Sequence, residues 1–300
     1  MKNIILGGGL VSFLARDILG DDWSILPVGK SRFYSYSPPL ADDFVVADDA
    51  INEYMNKFTV LPIMRRYGYS YAGQILFNTA IALGPYLQKL HGNNVPPHAG
   101  AYWRNRIDTF TYGSCLDMHN RLQEKYKSDL VSMHKTHGVP VSINDHVIKT
   151  ENSRIEYDKI VSTVPLPVLL KWLDVSWVTL PSRDVYYYHI RTNKLDFEGA
   201  TRVFVVDPEI KFHSAYCINN LNYIFESCER IEQPGQYFMA YIDNFDLIAE
   251  TSINQAVCCG PIPEIPEVVG ASIKCVGQHA VWDDCLDIGS VIKRLIKIGA

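Results

Sequence analysis

The first twenty residues constrain the fold of this chain more than any other stretch. They read MKNIILGGGLVSFLARDILG, so that an apolar segment from Lys2 to Leu6 is followed by three glycines and a helical pattern from Leu10 to Leu19. A strand, a glycine-rich turn and a helix in this order bring backbone N–H groups and the positive end of a helix against a phosphate. The stretch therefore predicts a nucleotide-binding turn, and the alternative is an ordinary strand–helix turn without a ligand.

The glycine turn matches the dinucleotide-binding pattern GxGxxG of Rossmann-type units only in part. Gly7 allows the tight turn and Gly9 lets a ligand approach the backbone, but Ser12 stands where the third glycine would be. The next predicted strand, Trp23 to Val28, ends without the acidic residue that holds the ribose hydroxyls in such units. A standard NAD or FAD ribose contact is therefore not expected.

The composition is that of a soluble globular protein. Of the 300 residues, 47% are hydrophobic and 20% are charged, which gives enough apolar material for one large domain or two intertwined lobes. The net charge of −5 gives no overall attraction to nucleic acid, although it is compatible with a local basic groove. Because no apolar run reaches about 18 residues, no membrane span is predicted.

The cysteines indicate an intracellular protein rather than a disulfide or zinc scaffold. There are seven, an odd number, and no two are spaced as CxxC. His134 and His137 lie three apart without further ligands, so no metal site is predicted. The N-terminal apolar run is too short for a signal peptide and is broken by glycines. We therefore expect a cytoplasmic protein with reduced thiols.

Two short basic stretches allow more than one interpretation. Lys30 and Arg32 follow the second predicted strand and either contact phosphates or belong to a solvated basic turn. Trp103, Arg104 and Arg106 open a stretch in which cations and aromatic residues alternate. Such a stretch can stack on a base and grip a phosphate, or it can be a half-buried strand with a charged edge.

The remainder of the chain predicts a second lobe rich in strands. A β-branched strand from Asp158 ends at Pro165 and is followed by a compact apolar helix, Leu166 to Leu173. Alternating apolar residues from Val185 to Phe238 then predict an antiparallel sheet. Phe245 to Gln255 is interpreted as helical or mixed, and Ile288 to Ile298 as the last helix.

Three segments in this order resemble the FAD-dependent amine-oxidase and protoporphyrinogen-oxidase superfamily, and most of all the branch that contains UDP-galactopyranose mutase. They are the N-terminal GGG turn, the middle segment EYDKIVSTVPLPVLLKWL and the C-terminal segment GQHAVWDDCLDIGSVIKRL. Asp158 to Pro165 matches the family's D-x-V-I-x-T-x-P segment, and Gly277, Trp282, Asp287 and Gly289 match its C-terminal segment beside the flavin.

The resemblance implies an α/β (α+β) fold with a Rossmann-type FAD-binding lobe and an interleaved antiparallel-sheet substrate lobe. The FAD-binding lobe would comprise residues 1–90, 138–175 and 270–300, and the substrate lobe residues 91–137 and 176–269. At 300 residues the chain is shorter than most members of the family, so the substrate lobe must be trimmed.

The resemblance also implies two sets of site residues. The residues expected to bind FAD are Gly7, Gly8, Gly9, Leu10, Val11, Lys30, Arg32, Val147, Thr163, Gly277, Asp287, Ile288 and Gly289. Those assigned to the substrate face as catalytic candidates, by position alone, are His213, Tyr216, His279 and Trp282. For each of these four, a packed or surface side chain is the alternative.

Three hypotheses for function follow. The first is a FAD-dependent oxidase or lyase that cleaves a C–N bond of an amine or an amino-acid-bearing substrate. Because small, trimmed members would suit virus-encoded base-modification enzymes, one candidate substrate is an amino-acid-modified thymine in DNA, which the Trp103 stretch would contact. The second is a redox-neutral, UDP-sugar mutase-like flavoenzyme. The third is a degenerate Rossmann protein that binds a nucleotide without catalysis.

Overall fold

A computed structural model describes most of the chain. The described residues are 2–28, 45–46, 49–58, 62–65, 67–71, 74–77, 79–100, 109–112, 115–144, 146–178, 180–193, 195–219, 221–261, 271–282 and 288–299.

Strands occur from the N-terminus to residue 275. In chain order they are β1 (Lys2–Leu6), β2 (Trp23–Leu26), β3 (Val45–Val46), β4 (Pro62–Arg65), β5 (Tyr67–Tyr71), β6 (Gln74–Leu76), β7 (Thr109–Tyr112), β8 (Pro140–Asn144), β9 (Val147–Thr150), β10 (Arg154–Ser162), β11 (Ser182–Arg191), β12 (Arg202–Val205), β13 (Ser214–Asn219), β14 (Asn222–Ser227), β15 (Asp246–Cys258) and β16 (Ile273–Cys275).

The helices vary from one turn to more than six turns. They are α1 (Leu10–Leu19), α2 (Asp49–Met55), α3 (Thr79–His91), α4 (Cys115–His137), α5 (Leu166–Trp172), α6 (Pro234–Met239), α7 (Gln278–Val281) and α8 (Ile288–Gly299), and a 3₁₀ turn covers Asn56–Phe58. None of the helices in the described ranges has both the length and the apolar character needed to cross a membrane.

The chain forms two compact units, each assembled from separate segments. The first comprises Met1–Leu61, Tyr112–Leu180 and Ile262–Ala300, and the second comprises Pro62–Thr111 and Pro181–Pro261. These boundaries differ from the predicted lobes in two places. The segment after Pro62 belongs to the second unit because β5 pairs with β12, and α4 belongs to the first because it packs on α1.

The first unit is built on a parallel sheet. β1 lies between β2 and β10, and β16 pairs with the other side of β10, all in parallel. The hairpin of β8 and β9 continues the sheet in antiparallel fashion from the amino-terminal part of β10. Helix α1 packs against α8 and α4, and its buried side chains Phe13 and Leu14 join those of Ile292 and Leu295 in one apolar cluster.

The second unit is built on a largely antiparallel sheet. Its strand order is β15-β11-β14-β13-β12-β5-β6, in which only the β12–β5 pair is parallel. The aromatic rings of Phe212, Phe225 and Phe238 pack against one another in its core, with ring centroids 4.9 to 5.7 Å apart. The antiparallel sheet predicted from residue 185 onward is thus present. Residues 245–255 were expected to be helical or mixed, which is wrong, because β15 pairs along β11.

A polar cluster attaches α1 to two neighbouring helices. The Asp17 carboxylate, near the end of α1, accepts hydrogen bonds from Tyr54 (3.1 Å), Lys125 (2.6 Å) and Tyr126 (2.8 Å). Burial acts to raise the pKa of Asp17, but these hydrogen bonds and the Lys125 charge together lower it below its usual 3.8. Asp17 therefore links α1 to α2 and α4.

Replacing Asp17 by Asn is expected to reduce the free energy of unfolding by about 1–3 kcal/mol, since charge-assisted hydrogen bonds are lost. Because the folded-state pKa lies below 3.8, this stabilisation is present above that pH and disappears as pH falls through the lowered value. Urea denaturation of both proteins at several pH values measures the difference. Asp129→Asn, at an exposed position of α4, is the matched control. A difference that is constant down to about pH 2 would contradict the linkage.

Candidate functional site

The candidate site lies at the carboxyl edge of the parallel sheet. In the sheet register Leu6 is opposite both Leu26 and Ser162, and Ser162 is opposite Cys275. The chain therefore leaves all four strands at one edge. Helices α1, α5 and α7 begin within a few residues of the ends of β1, β10 and β16. Ligands of open α/β sheets bind at this edge, outside the carboxyl ends of the strands.

Gly7 makes the closest approach between the turn and β10. Its φ is +151°, and a Cβ atom there would lie 2.0 Å from Thr163 Oγ1 and 2.1 Å from Ser12 Oγ. Only glycine fits this position without displacing its neighbours. The Gly7 N–H donates to the Leu26 carbonyl (3.1 Å), which also ties the turn to β2.

Ser12 and Thr163 form a direct link between α1 and the end of β10. Their hydroxyl oxygens are 2.7 Å apart, and Thr163 Oγ1 donates to the Leu6 carbonyl at 2.9 Å. A hydroxyl has a single proton, so Ser12 must be the donor in the Ser12–Thr163 bond. Ser12, which departs from the glycine pattern, therefore fastens α1 to the strand with its side chain.

The N-terminus of α1 is open to an anion. Gly9 is the N-cap residue, no side chain caps it, and the first turn contains no acidic residue. Gly8 is half-buried and Gly9 is exposed, and a Cβ on Gly9 would meet nothing within 4 Å. The first N–H groups of a helix have no acceptor within the helix and carry a partial positive charge. These features suit a phosphate or pyrophosphate.

The turn after β16 approaches the same helix end. Gly277 has φ +108°, and a Cβ there would lie 3.4 Å from Val11 Cγ1 in the first turn of α1. The Gly277 carbonyl then accepts from the Ala280 and Val281 N–H groups (3.1 and 3.0 Å) and starts α7. The structure thus brings Gly7 to Val11, Thr163 and Gly277 together, and their assignment to FAD stays a prediction.

The other predicted FAD residues are placed differently. Ile288 and Gly289 are buried at the start of α8. Val147 pairs with Asn144 and Glu156. Since Glu156 is near the amino end of β10, Val147 is not among the residues gathered at the carboxyl edge. Lys30, Arg32 and Asp287 lie outside the described residues, as do Trp103, Arg104 and Arg106 of the basic-aromatic stretch.

Two of the four substrate-face candidates lie in the first unit and two in the second. Trp282 is buried in the first unit and has a left-handed backbone conformation (φ +58°), and His279 lies in α7 of the same unit. In the second unit, Tyr216 is buried opposite Arg202, and the Arg202 guanidinium lies 5.6 Å from the Tyr216 ring centroid. His213 is buried as well and belongs to a polar network described next.

This buried network in the second unit was not predicted from the sequence. The Glu226 carboxylate accepts hydrogen bonds from Arg202 and Ser214, and its Oε2 lies 3.7 Å from His213 Nε2. Burial, followed by the Arg202 charge and other nearby cations, holds the pKa of His213 well below its usual 6.5. His213 is therefore a neutral imidazole at neutral pH. In the sequence, this network is indicated by polar residues that occur on otherwise apolar strands.

Comparisons with known proteins support the fold. Neither a protein-family model nor a curated protein matches the sequence. Among solved structures, reduced UDP-galactopyranose mutase superposes with a TM-score of 0.72 at 12% identity, over 99% of this chain and 94% of that one. Cyclohexylamine oxidase from Brevibacterium oxydans IH-35A gives a TM-score of 0.64 at 11% identity, over 99% and 97% of the two chains.

A third solved structure, a putative protoporphyrinogen oxidase from Exiguobacterium, gives a TM-score of 0.61 at 10% identity, over 99% of this chain and 98% of that one. Likeness at this level of identity concerns the architecture of the whole chain. The predicted α/β fold is confirmed, and the resemblance stated from the sequence motifs is confirmed as a likeness of fold. This chain has the fold shared by UDP-galactopyranose mutase, protoporphyrinogen oxidase and amine oxidases.

Replacing Gly7 by Ala is expected to lower the free energy of unfolding by about 1–3 kcal/mol or more, because the added methyl would overlap Ser12 and Thr163 and alanine rarely adopts this φ. Gly9→Ala is the control, since its Cβ points into open space, and it should cost no more than about 1 kcal/mol. Chemical denaturation of both variants measures the difference. Equal losses would show that the turn is not closed around Gly7.

Proposed function

We propose that this chain is a FAD-dependent oxidoreductase that oxidises a C–N bond of an amine or an amino-acid-bearing substrate. The observation that carries the proposal is the open N-terminus of α1, held by Gly7, Ser12 and Thr163 at the carboxyl edge of a parallel sheet. This anion-binding arrangement lies in a chain whose fold extends over nearly the full length of solved amine oxidases.

The residues of the turn fit the pyrophosphate of FAD. The N–H groups of Gly8 to Val11 are expected to donate to its oxygens, and the absence of an acidic residue in the first turn avoids repulsion. Gly277 brings the turn before α7 against Val11 and closes one side of this position. When bound, FAD supplies the redox chemistry by accepting two electrons from the substrate.

The start of α8 is assigned to the pyrimidine edge of the flavin. Ile288 and Gly289 are buried there, and no acidic residue lies in the first turn of the helix. The positive end of the helix would favour negative charge on the reduced ring. Asp287 and the basic residues Lys30 and Arg32 remain assigned to the cofactor on the sequence resemblance.

The substrate side requires little acid–base chemistry from the protein. Oxidation of a neutral amine by bound FAD would need no strong acid or base from the protein. The described side chains of this set, His213, Tyr216 and Trp282, are each at most 3% exposed. We therefore propose no proton transfer by these side chains, and the assignment of these residues and His279 to the substrate face stays a prediction from the sequence.

A finer proposal concerns the substrate. An amino-acid-modified thymine in DNA would present the required C–N bond, and the stretch that begins Trp103, Arg104 and Arg106 would contact the nucleic acid. This part of the proposal rests on the sequence alone. Binding to duplex DNA with and without the modified base, measured by fluorescence anisotropy, tests it, and equal affinities would contradict it.

The second candidate function is a redox-neutral rearrangement of a UDP-sugar. It is favoured by the similarity to reduced UDP-galactopyranose mutase, whose TM-score of 0.72 exceeds the 0.64 of cyclohexylamine oxidase. This alternative uses the same FAD-binding turn. It differs in requiring reduced flavin throughout and in showing no net oxidation.

The absorption spectrum of the purified protein separates the flavoenzymes from a non-catalytic nucleotide-binding protein. Bands near about 370 and 450 nm would indicate oxidised flavin. Anaerobic addition of primary amines and amino acids should then bleach the band near about 450 nm if the first proposal holds. Conversion of UDP-galactopyranose only after reduction with dithionite would instead support the mutase. A colourless protein that takes up no added FAD would contradict both.

A charge at the helix N-terminus tests the proposed FAD site directly. Gly9→Asp places a carboxylate where the pyrophosphate is expected, and we predict an FAD dissociation constant at least about tenfold higher. Gly235→Asp, in the first turn of α6 where an added Cβ would also meet nothing within 4 Å, is the matched control. Quenching of FAD fluorescence measures both constants. Equal weakening by the two substitutions would remove the assignment to α1.

A further inference from the structure

A second candidate site lies entirely within the second unit. A cavity of about 540 Å³ opens between the C-terminal part of α3, the start of β11, the β12–β13 connection and the end of β14. This volume is that of a pocket for a small organic molecule. Its lining combines the cations Lys89, Arg183 and Lys211 with His213, Cys228, Glu229 and several apolar residues.

Three cations line this cavity, and main-chain carbonyls contact two of them. Lys89 Nζ donates to the Asp207 backbone carbonyl (2.7 Å), and Arg183 Nη1 donates to the carbonyls of Lys89 (2.5 Å) and Leu90 (3.1 Å). Among the described residues, no carboxylate oxygen lies within 4.0 Å of Lys89, Arg183 or Lys211. Main-chain carbonyls therefore hold the charges of Lys89 and Arg183 in place, and Lys211 is exposed, so all three charges are available to an anion.

The acidic groups near the cavity cancel only part of this charge, since Asp207 and Glu229 are the carboxylates that act on Lys89. Glu226 is bound by Arg202 and Ser214, so its carboxylate is already compensated within the sheet. His213 is neutral because burial and the surrounding cations lower its pKa. Glu229 is the one carboxylate among the described lining residues, against the three cations, and it is exposed.

The electrostatics of Lys89 agree with an anion site. Burial lowers the pKa of Lys89 to about 8, and the nearby carboxylates of Asp207 and Glu229 offset only part of this effect. A bound anion would restore the missing stabilisation of the ammonium form. Part of the lining is apolar, since Pro85, Val206, Pro208 and Ile210 contribute hydrocarbon surface.

We infer that this cavity binds an organic acid, with an anionic head group, a carboxylate or a phosphate, on Lys89, Arg183 and Lys211 and an apolar body against the prolines and Ile210. The inference does not depend on flavin binding, because none of these residues belongs to the unit that contains the glycine turn. It assigns to the second unit a ligand class distinct from the amine or UDP-sugar considered above.

Cys228 provides a reporter inside the cavity. Its thiol is partly accessible, donates toward the Leu90 carbonyl (3.6 Å) and lies 3.7 Å from His213 Nδ1. An alkylating reagent that enters the cavity can be attacked by the Cys228 thiolate, which displaces iodide while the thiol proton passes to solvent. Cys217, partly accessible on β13 and not part of the cavity lining, is an internal reference.

The experiment compares iodoacetate, an anion, with iodoacetamide, its neutral analogue, on the full-length protein. Peptide mass spectrometry gives the alkylation rate at each cysteine. We expect the iodoacetate-to-iodoacetamide rate ratio to be about tenfold higher at Cys228 than at Cys217, because a cationic cavity concentrates anions. Equal ratios at the two cysteines would overturn the inference.

Charge substitutions locate the effect. Lys211→Gln changes an exposed side chain and so should leave the fold intact. Lys211→Gln and Lys89→Gln should both lower the preference for iodoacetate at Cys228 severalfold. Arg230→Gln is the matched control, since Arg230 is close to Cys228 in sequence but its side chain is 70% exposed and outside the lining. A loss with Arg230→Gln equal to that with Lys211→Gln would also overturn the inference.

Competition defines the ligand. Hexanoate and hexyl phosphate should both slow the alkylation of Cys228. Hexanol, which has no anionic head group, and inorganic phosphate, which has no apolar body, should protect less. Stronger protection by hexanoate would identify a carboxylate head group, and stronger protection by hexyl phosphate a phosphate. Protection by inorganic phosphate equal to that by hexyl phosphate would exclude the apolar half of the site, and protection by hexanol alone would exclude the anionic half.

Discussion

The contact between Gly7, Ser12 and Thr163 is the constraint on which the first unit depends. Two hydroxyl groups occupy the space where any other residue at position 7 would place its Cβ, so the turn after β1, the first turn of α1 and the end of β10 meet within hydrogen-bonding distance. This approach fixes the N-terminus of α1 at the carboxyl edge of the sheet. The open helix N-terminus, which suits an anion, is therefore a consequence of this packing.

The remainder of α1 holds that position. Its buried face packs into the cluster that α8 and α4 share, and Asp17 at its far end is bonded to Tyr54, Lys125 and Tyr126. The helix is thus restrained along its length and near its C-terminal end by side chains. Its N-cap residue, Gly9, has no capping side chain. A rigid helix with an open N-terminus suits a ligand whose charge must be held in a defined place.

The sequence predicted the local elements of the first unit closely, because β1, α1 and β2 are set by short-range periodicity and glycine. It did not predict β15, whose polar central residues Glu250 to Ser252 join the sheet through pairing with β11, more than sixty residues earlier. The role of Ser12 could not be predicted because it also depends on a distant part of the chain. Its partner Thr163 is 151 residues away in the sequence and comes close because β10 pairs with β1.

The two anion sites proposed for this chain rely on different physics, and this difference also explains why only one was predicted from the sequence. The turn before α1 uses backbone N–H groups, which do not titrate and leave a motif in consecutive residues. The cavity of the second unit uses side chains from four separated segments. Because burial lowers the pKa of Lys89 to about 8, the cavity loses part of its positive charge as pH rises through that value. A nucleotide held by the first site should therefore be insensitive to mild alkali that weakens binding at the second.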